Sequence, residues 1–261
     1  MKRQFAIVCR RDDISRQLKQ QLSESLQGYG WTENDDHPEI VFAIGGDGTF
    51  LFAVHQYLDQ LDHVQFLGIH SGTLGFFCDY RCDEIDQCVL DVVNNEPQCE
   101  EAPLLQITVR SDRKSTTIYA LNEIRIENVL KTQILDVEIN GSFFETFRGT
   151  GLCLCTQVGS TAYNRSLGGA VIQKGLPLLQ LSEITGIHHR AYRSLGSSLI
   201  LKPDSVVRLR SESLEGAFLC YDHLGFSLHD ETELEAHQCD KKVRIARYRD
   251  LPYLQRLRIL F

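Results

Sequence analysis

The sequence predicts an α/β N-terminal domain with a parallel sheet, followed by a β-rich C-terminal domain, in a chain of 261 residues. In the N-terminal part, short and almost entirely apolar runs alternate with segments of helical periodicity, which is typical of a parallel sheet covered on both faces. Farther along the chain, strand-like runs follow one another with few helical stretches between them. We therefore expect one domain at residues 1–100, a second at residues 101–248, and a C-terminal helix at residues 249–261 that packs back on the body.

The N-terminal elements follow from local periodicity. Apolar runs of strand length lie at residues 5–9, 40–44 and 64–69. Helix-like segments lie at residues 15–26, 50–61 and 83–94. The first of these carries Leu18, Leu22 and Leu26 at a spacing of four, which puts them on one helical face. An acidic segment bracketed by prolines, residues 98–102, predicts a structureless domain boundary.

The C-terminal elements are predicted to be short strands and one final helix. Strand-like runs lie at residues 104–110, 116–120, 133–139, 143–147, 152–156, 199–201, 206–210, 217–221 and 242–246. Asn140-Gly141, between two of these runs, is a strong signal for a two-residue hairpin turn because both residue types accept a positive φ. Residues 252–260 begin with a proline and carry several apolar residues, which predicts a helix.

Charge and cysteine content narrow the class of protein. The formal net charge is -8 and the basic residues are dispersed, which argues against binding to the phosphate backbone of a nucleic acid. The 9 cysteines are odd in number and scattered, as expected for reduced thiols in a cytoplasmic protein, and their spacing predicts no structural metal. The first apolar run is too short for a signal peptide or a membrane span, so we expect no membrane association.

Residues 45–49, Gly-Gly-Asp-Gly-Thr, lie between a predicted strand and a predicted helix. Glycine has no Cβ, so the backbone N–H groups of such a turn can approach phosphate oxygens at the positive end of the helix. A carboxylate beside phosphates is repelled by them unless it meets a metal ion or accepts a proton. The loop is therefore a candidate phosphate site in which Asp47 has a chemical role, and an ordinary tight turn is the alternative.

Three further stretches combine polar or aromatic groups that suit a nucleotide. Residues 70–77 follow a predicted strand and end in Phe76-Phe77, which either stack on a flat ligand or belong to the core. Asn122-Glu123 pairs an amide with a carboxylate that together can bind the vicinal hydroxyls of a ribose, with a polar turn as the alternative. Residues 159–169 carry several hydroxyls and an amide, which favour a polar heterocycle or a capped loop.

The ordered set of motifs resembles the NAD kinases. No Walker lysine motif, nucleophile elbow, dinucleotide fingerprint or zinc-protease motif is present. The resembling motifs are GGDGTFL (45–51), GIHSGTLGFF (68–77), LNE (121–123), RGTGL (148–152) and GSTAYNRSLGG (159–169). The resemblance implies an NAD kinase-like protein of two domains that transfers the γ-phosphoryl group of ATP or polyphosphate to the 2′-hydroxyl of the adenosine ribose of NAD. It also implies a homotetramer or homodimer with sites at subunit boundaries.

The resemblance also implies roles for individual residues. Asp47 would be the catalytic base, and the first domain would bind the phosphate donor through Gly45, Gly46, Gly48 and Thr49. The second domain would serve NAD binding and oligomerisation. NAD would be bound by Asp47, Gly48, Phe76, Asn122, Glu123, Arg148, Thr150, Thr161, Ala162, Tyr163, Ser166 and His223. Magnesium would come with ATP, held mostly by the nucleotide's own phosphates.

Two positions depart from the family pattern. The family usually has aspartate where this chain has Thr150, and usually proline where it has Gln157. The first departure removes a carboxylate from the nicotinamide side of the site, where His223 either lines the nicotinamide ribose or is a simple strand position. Two alternatives therefore stay open: a catalytically weakened NAD or NADP-binding protein of the same fold, and a lipid or sugar kinase that shares the GGDG loop. ATP against polyphosphate and NAD against NADH also stay open.

Overall fold

A computed structural model of the chain describes residues 3–72 and 75–260, with the side chains described up to residue 258. Thr73 and Leu74 of the second motif, and the side chains of Ile259 and Leu260 in the predicted last helix, lie outside the described residues. The chain divides into two compact units, Met1–Ala102 with Lys241–Phe261, and Pro103–Asp240. The predicted fold class is confirmed, since the first unit is α/β and the second is β-rich. The functions assigned to the two predicted domains stay predictions.

The first unit is built on a parallel sheet. Its strands are β1 (Gln4–Cys9), β2 (Thr32–Glu33), β3 (Ile40–Gly45), β4 (Gln65–His70) and β5 (Cys78–Arg81). They lie in the order β2-β1-β3-β4-β5 and all neighbours are parallel. The helices are α1 (Asp13–Gly28), α2 (Asp47–Gln56) and α3 (Ile85–Asn94). Leu18, Leu22 and Leu26 of α1 are all buried, as the predicted helical face requires. All six residues of β3 are buried, because helices cover both faces of a parallel sheet.

The second unit is an antiparallel β structure. Its strands are β6 (Gln98–Ser111), β7 (Ser115–Ala120), β8 (Glu123–Glu127), β9 (Gln133–Ile139), β10 (Ser142–Cys155), β11 (Leu179–Gly186), β12 (Leu199–Leu201), β13 (Val206–Arg210), β14 (Phe218–Tyr221), β15 (Leu224–Ser227) and β16 (Glu231–Arg247), of which β6 begins and β16 ends in the first unit. The sheet order is β15-β14-β8-β10-β9-β13-β16, and β11 pairs with β10. The predicted hairpin is confirmed, since Asn140 and Gly141 have φ of 53° and 78° between β9 and β10.

Three local predictions are wrong. Residues 98–102 are not structureless, because they form the beginning of β6, which continues through Pro103. The pairing of this strand with its neighbours overrides the weak strand signal of its sequence. Residues 143–147 and 152–156 are one strand, β10, because Gly149 and Gly151 inside it admit close neighbours instead of making a turn. The helix predicted at 50–61 is α2, which begins and ends earlier.

The chain returns to the first unit through its last two elements. The end of β16 runs parallel to β4, with Arg244 opposite Gln65. The predicted C-terminal helix is present as α5 (Tyr253–Leu260). The helix before it in the numbering, α4 (Tyr163–Ser166), is a single turn in the second unit. Arg256 of α5 is a buried cation that is only 4% exposed. Within the described part of the chain, none of the helices has the length and apolar character needed to cross a membrane.

Candidate functional site

The Gly-Gly-Asp-Gly loop of the first unit joins β3 directly to α2. Gly45 is the last residue of β3, and a Cβ on it would lie 2.2 Å from Thr49 Oγ1, so only glycine fits there. Gly46 precedes α2, and Asp47 is the first residue of the helix. A Cβ on Gly46 or Gly48 would meet no described atom within 4 Å. Packing within the described protein therefore does not require these two glycines, and they leave the start of α2 open.

The carboxylate of Asp47 is anchored by two backbone groups of the segment that follows β4. Phe76 N–H donates to Oδ2 at 2.9 Å, and Phe77 N–H donates to Oδ1 at 3.0 Å. A Cβ on Gly75 would lie 2.2 Å from Asp47 Oδ1, so this glycine allows the segment to approach the carboxylate. The second motif, residues 68–77, therefore supplies the hydrogen bonds that fix the aspartate of the first motif.

The two phenylalanines of this segment have different surroundings. Phe77 is buried and its ring stacks on that of Phe50 in α2, with the centroids 4.4 Å apart and the planes at 4°. Phe76 is half-buried, and its ring meets that of Tyr253 edge to face at 5.6 Å. Phe77 is thus a core residue, whereas Phe76 keeps part of its ring accessible.

In the second unit, Asn122 and Glu123 lie at the junction of β7 and β8. Asp222 holds this junction, because Leu121 N–H donates to its Oδ2 at 2.8 Å and Asn122 N–H donates to its Oδ1 at 2.7 Å. Asp222 N–H in turn donates to the carbonyl of Glu123 at 3.1 Å. Asp222 has a φ of 50°, a conformation that aspartate accepts better than most residues. The sequence patterns did not assign a role to Asp222, since its partners are about a hundred residues away.

Asn122 and Glu123 each carry a buried side-chain oxygen that no described residue satisfies. Asn122 Oδ1 and Glu123 Oε2 are buried, and neither has a hydrogen-bond partner among the residues that the structure describes. Burial, followed by the charge of Asp222, raises the pKa of Glu123 to about 8, against the opposing effects of Arg125 and of the Tyr163 backbone. Buried polar atoms are normally paired, so two such oxygens on consecutive residues suit a ligand that supplies hydroxyl groups.

Arg125 connects this junction to the fifth motif, residues 159–169. Its Nε lies 3.9 Å from Glu123 Oε1, and its Nη1 lies 2.5 Å from Glu127 Oε1. The guanidinium also stacks over the ring of Tyr163, 3.8 Å from the centroid. A cation between a carboxylate and an aromatic face keeps both in place. Arg125 carried no sequence signal, because its partners come together only when β8 meets the turn α4.

Residues 159–166 form a compact loop against Asn122. Gly159 approaches so closely that a Cβ on it would lie 2.0 Å from the Asn122 carbonyl oxygen. Thr161, Ala162 and Tyr163 are half-buried and Ser166 is exposed. Asn164 is fully buried, where its Nδ2 donates to the carbonyls of Ser160 (3.4 Å) and Ala170 (3.3 Å) and its Oδ1 accepts from Ser182 Oγ (2.8 Å). The amide of the motif therefore stabilises the loop itself, and Gly159 is the residue of the loop that packs against Asn122.

The remaining predicted site residues lie elsewhere in the second unit. Cys155 of β10 pairs with Glu123, and Gly151 pairs with Glu127, so Thr150 lies beyond the other end of β8. At the usual rise per strand residue, Thr150 is about 17 Å from Cys155 along β10. Arg148 stacks over the ring of Tyr192 at 4.5 Å. His223 is exposed in the turn between β14 and β15, next to Asp222. The structure does not bring Thr150 next to Glu123 within this unit.

Comparison with known proteins identifies the family. The model of the ATP-NAD kinase C-terminal domain matches residues 121–248. The chain is 38% identical over 260 residues to an NAD kinase of Geobacillus stearothermophilus, which covers 98% of this chain and 96% of the relative. It is 39% identical over 254 residues to the NAD kinase of Lysinibacillus sphaericus, which covers 97% of this chain and 96% of the relative.

Solved structures share the fold. The yeast NADH kinase in complex with NADH superimposes with a TM-score of 0.86 at 19% identity, over 98% of this chain and 86% of that one. An NAD kinase from Archaeoglobus fulgidus in complex with ATP superimposes with a TM-score of 0.77 at 18% identity, over 99% of this chain and 97% of that one. On the sequence relatives and the domain match together, the chain belongs to the NAD kinase family.

Proposed function

We propose that this protein transfers the γ-phosphoryl group of ATP to the 2′-hydroxyl of the adenosine ribose of NAD and so makes NADP. Curated relatives that cover nearly the whole chain are named NAD kinase, and one distant structural relative was solved with ATP. The observation that carries the proposal is the Asp47 carboxylate, which two backbone N–H groups hold at the open, glycine-lined start of α2.

Asp47 orients the attacking hydroxyl and receives its proton. In the transfer, a bond forms between the ribose O2′ and the γ-phosphorus, the bond from that phosphorus to the bridging oxygen of ADP breaks, and the hydroxyl proton passes to Asp47. Such transition states are loose, so alignment and charge neutralisation contribute most of the rate, and the carboxylate needs to accept the proton only late in the transfer. Gly45, Gly46, Gly48 and Thr49 let the phosphate chain approach the backbone at the start of α2.

In the second unit, Asn122 and Glu123 bind hydroxyl groups of NAD. Below a pH of about 8, Glu123 carries a proton and can both donate and accept, while Asn122 Oδ1 accepts. A ribose hydroxyl also donates and accepts, so the pair matches it without burying an unpaired charge. In the same unit, Thr161, Ala162, Tyr163 and Ser166 bind the adenine and position the dinucleotide. In the first unit, Phe76 offers a half-buried ring that suits the flat face of an adenine.

Magnesium enters as part of the ATP complex. Among the described residues, His, Cys, Asp and Glu side chains do not assemble into a group of three that could hold a metal ion. We therefore assign no protein ligand to the ion and propose that the nucleotide phosphates hold it. When bound, the ion neutralises charge that develops on the phosphates.

The far end of NAD is completed in a homo-oligomer. Thr150 lies at the opposite end of β8 from Glu123, so a contact between Thr150 and the nicotinamide side is best supplied by a second copy of the chain. We propose that Arg148, Thr150 and His223 serve there, in a cytoplasmic homodimer or homotetramer. Size-exclusion chromatography with light scattering measures the oligomer directly.

NADP formation tests the proposed function. Purified protein is incubated with NAD, ATP and magnesium, and NADP is quantified with an NADP-specific dehydrogenase, with polyphosphate and NADH as alternative substrates. We expect NADP from NAD and ATP, and little from the Asp47→Asn variant. Tight NAD binding by calorimetry without product would instead support the weakened binding protein, and inhibition by a lipid that competes with NAD would support the lipid kinase.

A further inference from the structure

Arg256, on the last helix, contacts the same short segment that anchors Asp47. Its Nη1 donates to the carbonyls of Phe76 (3.1 Å) and Cys78 (2.6 Å), and its Nη2 donates to Asp79 Oδ1 (2.5 Å). One planar guanidinium thus engages three acceptors within residues 76–79. Because Arg256 is 4% exposed, each lost partner would leave a buried donor unpaired, so this geometry is strongly favoured.

A single peptide group connects Arg256 to the aspartate. The carbonyl of Phe76 and the N–H of Phe77 belong to the same planar peptide unit, in which they point in opposite directions. The carbonyl side of this unit accepts from Arg256, and its N–H side donates to Asp47 Oδ1 at 3.0 Å. A rotation of this plane that breaks one of the two hydrogen bonds also moves the other. The guanidinium and the carboxylate therefore hold the peptide from both sides.

We propose that Arg256 is a positioning residue for phosphoryl transfer, which orients the 76–77 peptide so that its N–H fixes the Asp47 carboxylate. The inference rests on the proposed function of Asp47. Tyr253, one turn earlier on the same helix, packs against the Phe76 ring, so α5 also positions the half-buried ring next to this peptide. The last helix thereby controls both groups that the second motif contributes to the site.

The surrounding contacts make the inference testable, because the segment has other supports. Asp79 also accepts from Arg247 Nη1 at 2.6 Å, and Arg247 Nε lies 2.8 Å from Glu100 Oε2. Phe77 stays stacked on Phe50 of α2. Replacement of Arg256 therefore leaves Asp79 paired and Phe77 packed, and we expect the variants to fold with the peptide plane less constrained.

The test compares Arg256→Met and Arg256→Lys with Arg258→Met, an exposed arginine two positions farther along the same helix. We expect Arg256→Met to lower kcat by about 10- to 100-fold, since a displacement of about 1 Å in a catalytic group can cost that much. The KM for ATP should change by less than about threefold, because the donor loop keeps its glycines. Arg256→Lys should retain an intermediate kcat, and Arg258→Met should stay within about twofold of the wild type.

Two further measurements separate positioning from stability. Hydrogen exchange at the Phe76 and Phe77 amides should accelerate at least about tenfold in Arg256→Met and in Asp47→Asn, since both changes weaken the same hydrogen bonds. In the Asp47→Asn background, Arg256→Met should lower the remaining activity by less than about threefold. If the protein with both changes does not fold, Arg256→Lys replaces Arg256→Met in the same comparison.

The outcomes are distinguishable from a failure of the proposed function. A folded Arg256→Met protein with wild-type kcat, or an equal loss with and without Asp47, would overturn the positioning role. If the wild-type protein makes no NADP, the proposed function fails, while the exchange rates still report whether Arg256 holds the peptide. Unchanged exchange at both amides would then refute the inference by itself.

Discussion

The two units hold their candidate carboxylates in opposite ways. Asp47, in the first unit, is partly exposed and accepts from two backbone N–H groups at the start of a helix. Glu123, in the second unit, is 4% exposed, has one oxygen without a described partner and faces the charge of Asp222. The first environment supplies two donors to a carboxylate. In the second, burial and the charge of Asp222 outweigh Arg125 and the Tyr163 backbone and favour the protonated acid.

This difference suits two different tasks. A carboxylate that donors hold in a fixed direction can align a hydroxyl and receive a proton. A buried carboxylic acid that keeps its proton can donate as well as accept, which suits binding of a neutral sugar. The same functional group thus serves chemistry in one unit and recognition in the other, because the surroundings differ.

The largest expected effect comes from removing the carboxylate chemistry of Asp47. Asp47→Asn keeps the shape and one oxygen acceptor, so the protein should fold, but it cannot take up the proton. We expect kcat to fall by about 10²- to 10⁴-fold, the usual contribution of a positioned base. Steady-state rates of NADP formation measure this, with circular dichroism as the control for folding. A rate within about threefold of the wild type would remove Asp47 from the chemistry.

Asp222→Ala should have the next largest effect, on stability and on NAD binding. It removes two charge-assisted hydrogen bonds to the backbone before Glu123, which we expect to lower the free energy of unfolding by about 3 kcal/mol. Asp222→Asn is the matched control, because asparagine accepts the positive φ and keeps one acceptor. Urea unfolding measures the loss of stability. The KM for NAD should rise from the wild type to Asp222→Asn and further to Asp222→Ala. Equal stability of the two variants would contradict this account.

Glu123→Gln should change how stability depends on pH. The folded protein holds the Glu123 proton up to a pKa of about 8, whereas the unfolded chain releases it near 4.5. The folded state therefore binds more protons between these values, and its stability falls as the pH rises from about 4.5 to 8. Glutamine cannot ionise, so the variant should gain about 3.5 kcal/mol on the wild type between pH 5 and pH 8. Parallel pH profiles of urea unfolding would show that Glu123 does not titrate in this way.

Thr150→Asp tests the departure at the far end of the dinucleotide. Thr150 is half-exposed inside β10, and its carbonyl accepts from Asn128 N–H at 2.8 Å, so the side chain can change with the strand intact. We expect the KM for NAD to fall by about threefold to tenfold if a carboxylate there meets the nicotinamide side, which corresponds to about one hydrogen bond. Thr150→Asn is the uncharged control. The same KM in both variants would exclude a role for the charge.

Gln157→Pro should have the smallest effect. Gln157 has a φ of -55°, close to the value that proline requires. The change removes the hydrogen bond from Gln157 Nε2 to the Ile172 carbonyl at 3.0 Å but restricts the unfolded chain. These contributions are each about 1 kcal/mol and of opposite sign, so the free energy of unfolding should shift by less than about 1 kcal/mol. A loss well above 1 kcal/mol in urea unfolding would show that the loop needs the hydrogen bond of the Gln157 side chain.

Predictions from sequence succeeded where the signal is local. The hairpin at Asn140-Gly141 and the helical face of α1 depend on neighbours within a few residues, and both are confirmed. The strand-glycine-helix arrangement around Asp47 is local in the same sense. The error at β10 has the opposite cause, because Gly149 and Gly151 resemble turn residues until Thr185 and Ile126 are brought against them.

Groups that act at long range escaped prediction. Arg256 reaches residues 76–79 across about 180 positions, and Asp222 reaches Leu121 and Asn122 across about a hundred. Neither lies in a motif with its partners, and a lone arginine or aspartate is most often a surface residue. Their function exists only in the contacts that folding creates.

The sequence by itself determined the fold class and the identity of the motifs, because periodicity and glycine placement act over short distances. Only the tertiary structure decided how the two carboxylates differ, since burial, the neighbouring charge of Asp222 and the N–H groups of Phe76 and Phe77 come from distant parts of the chain. Hydrogen bonds and desolvation depend on separation in space. Residues that are far apart in sequence therefore decide what each carboxylate can do.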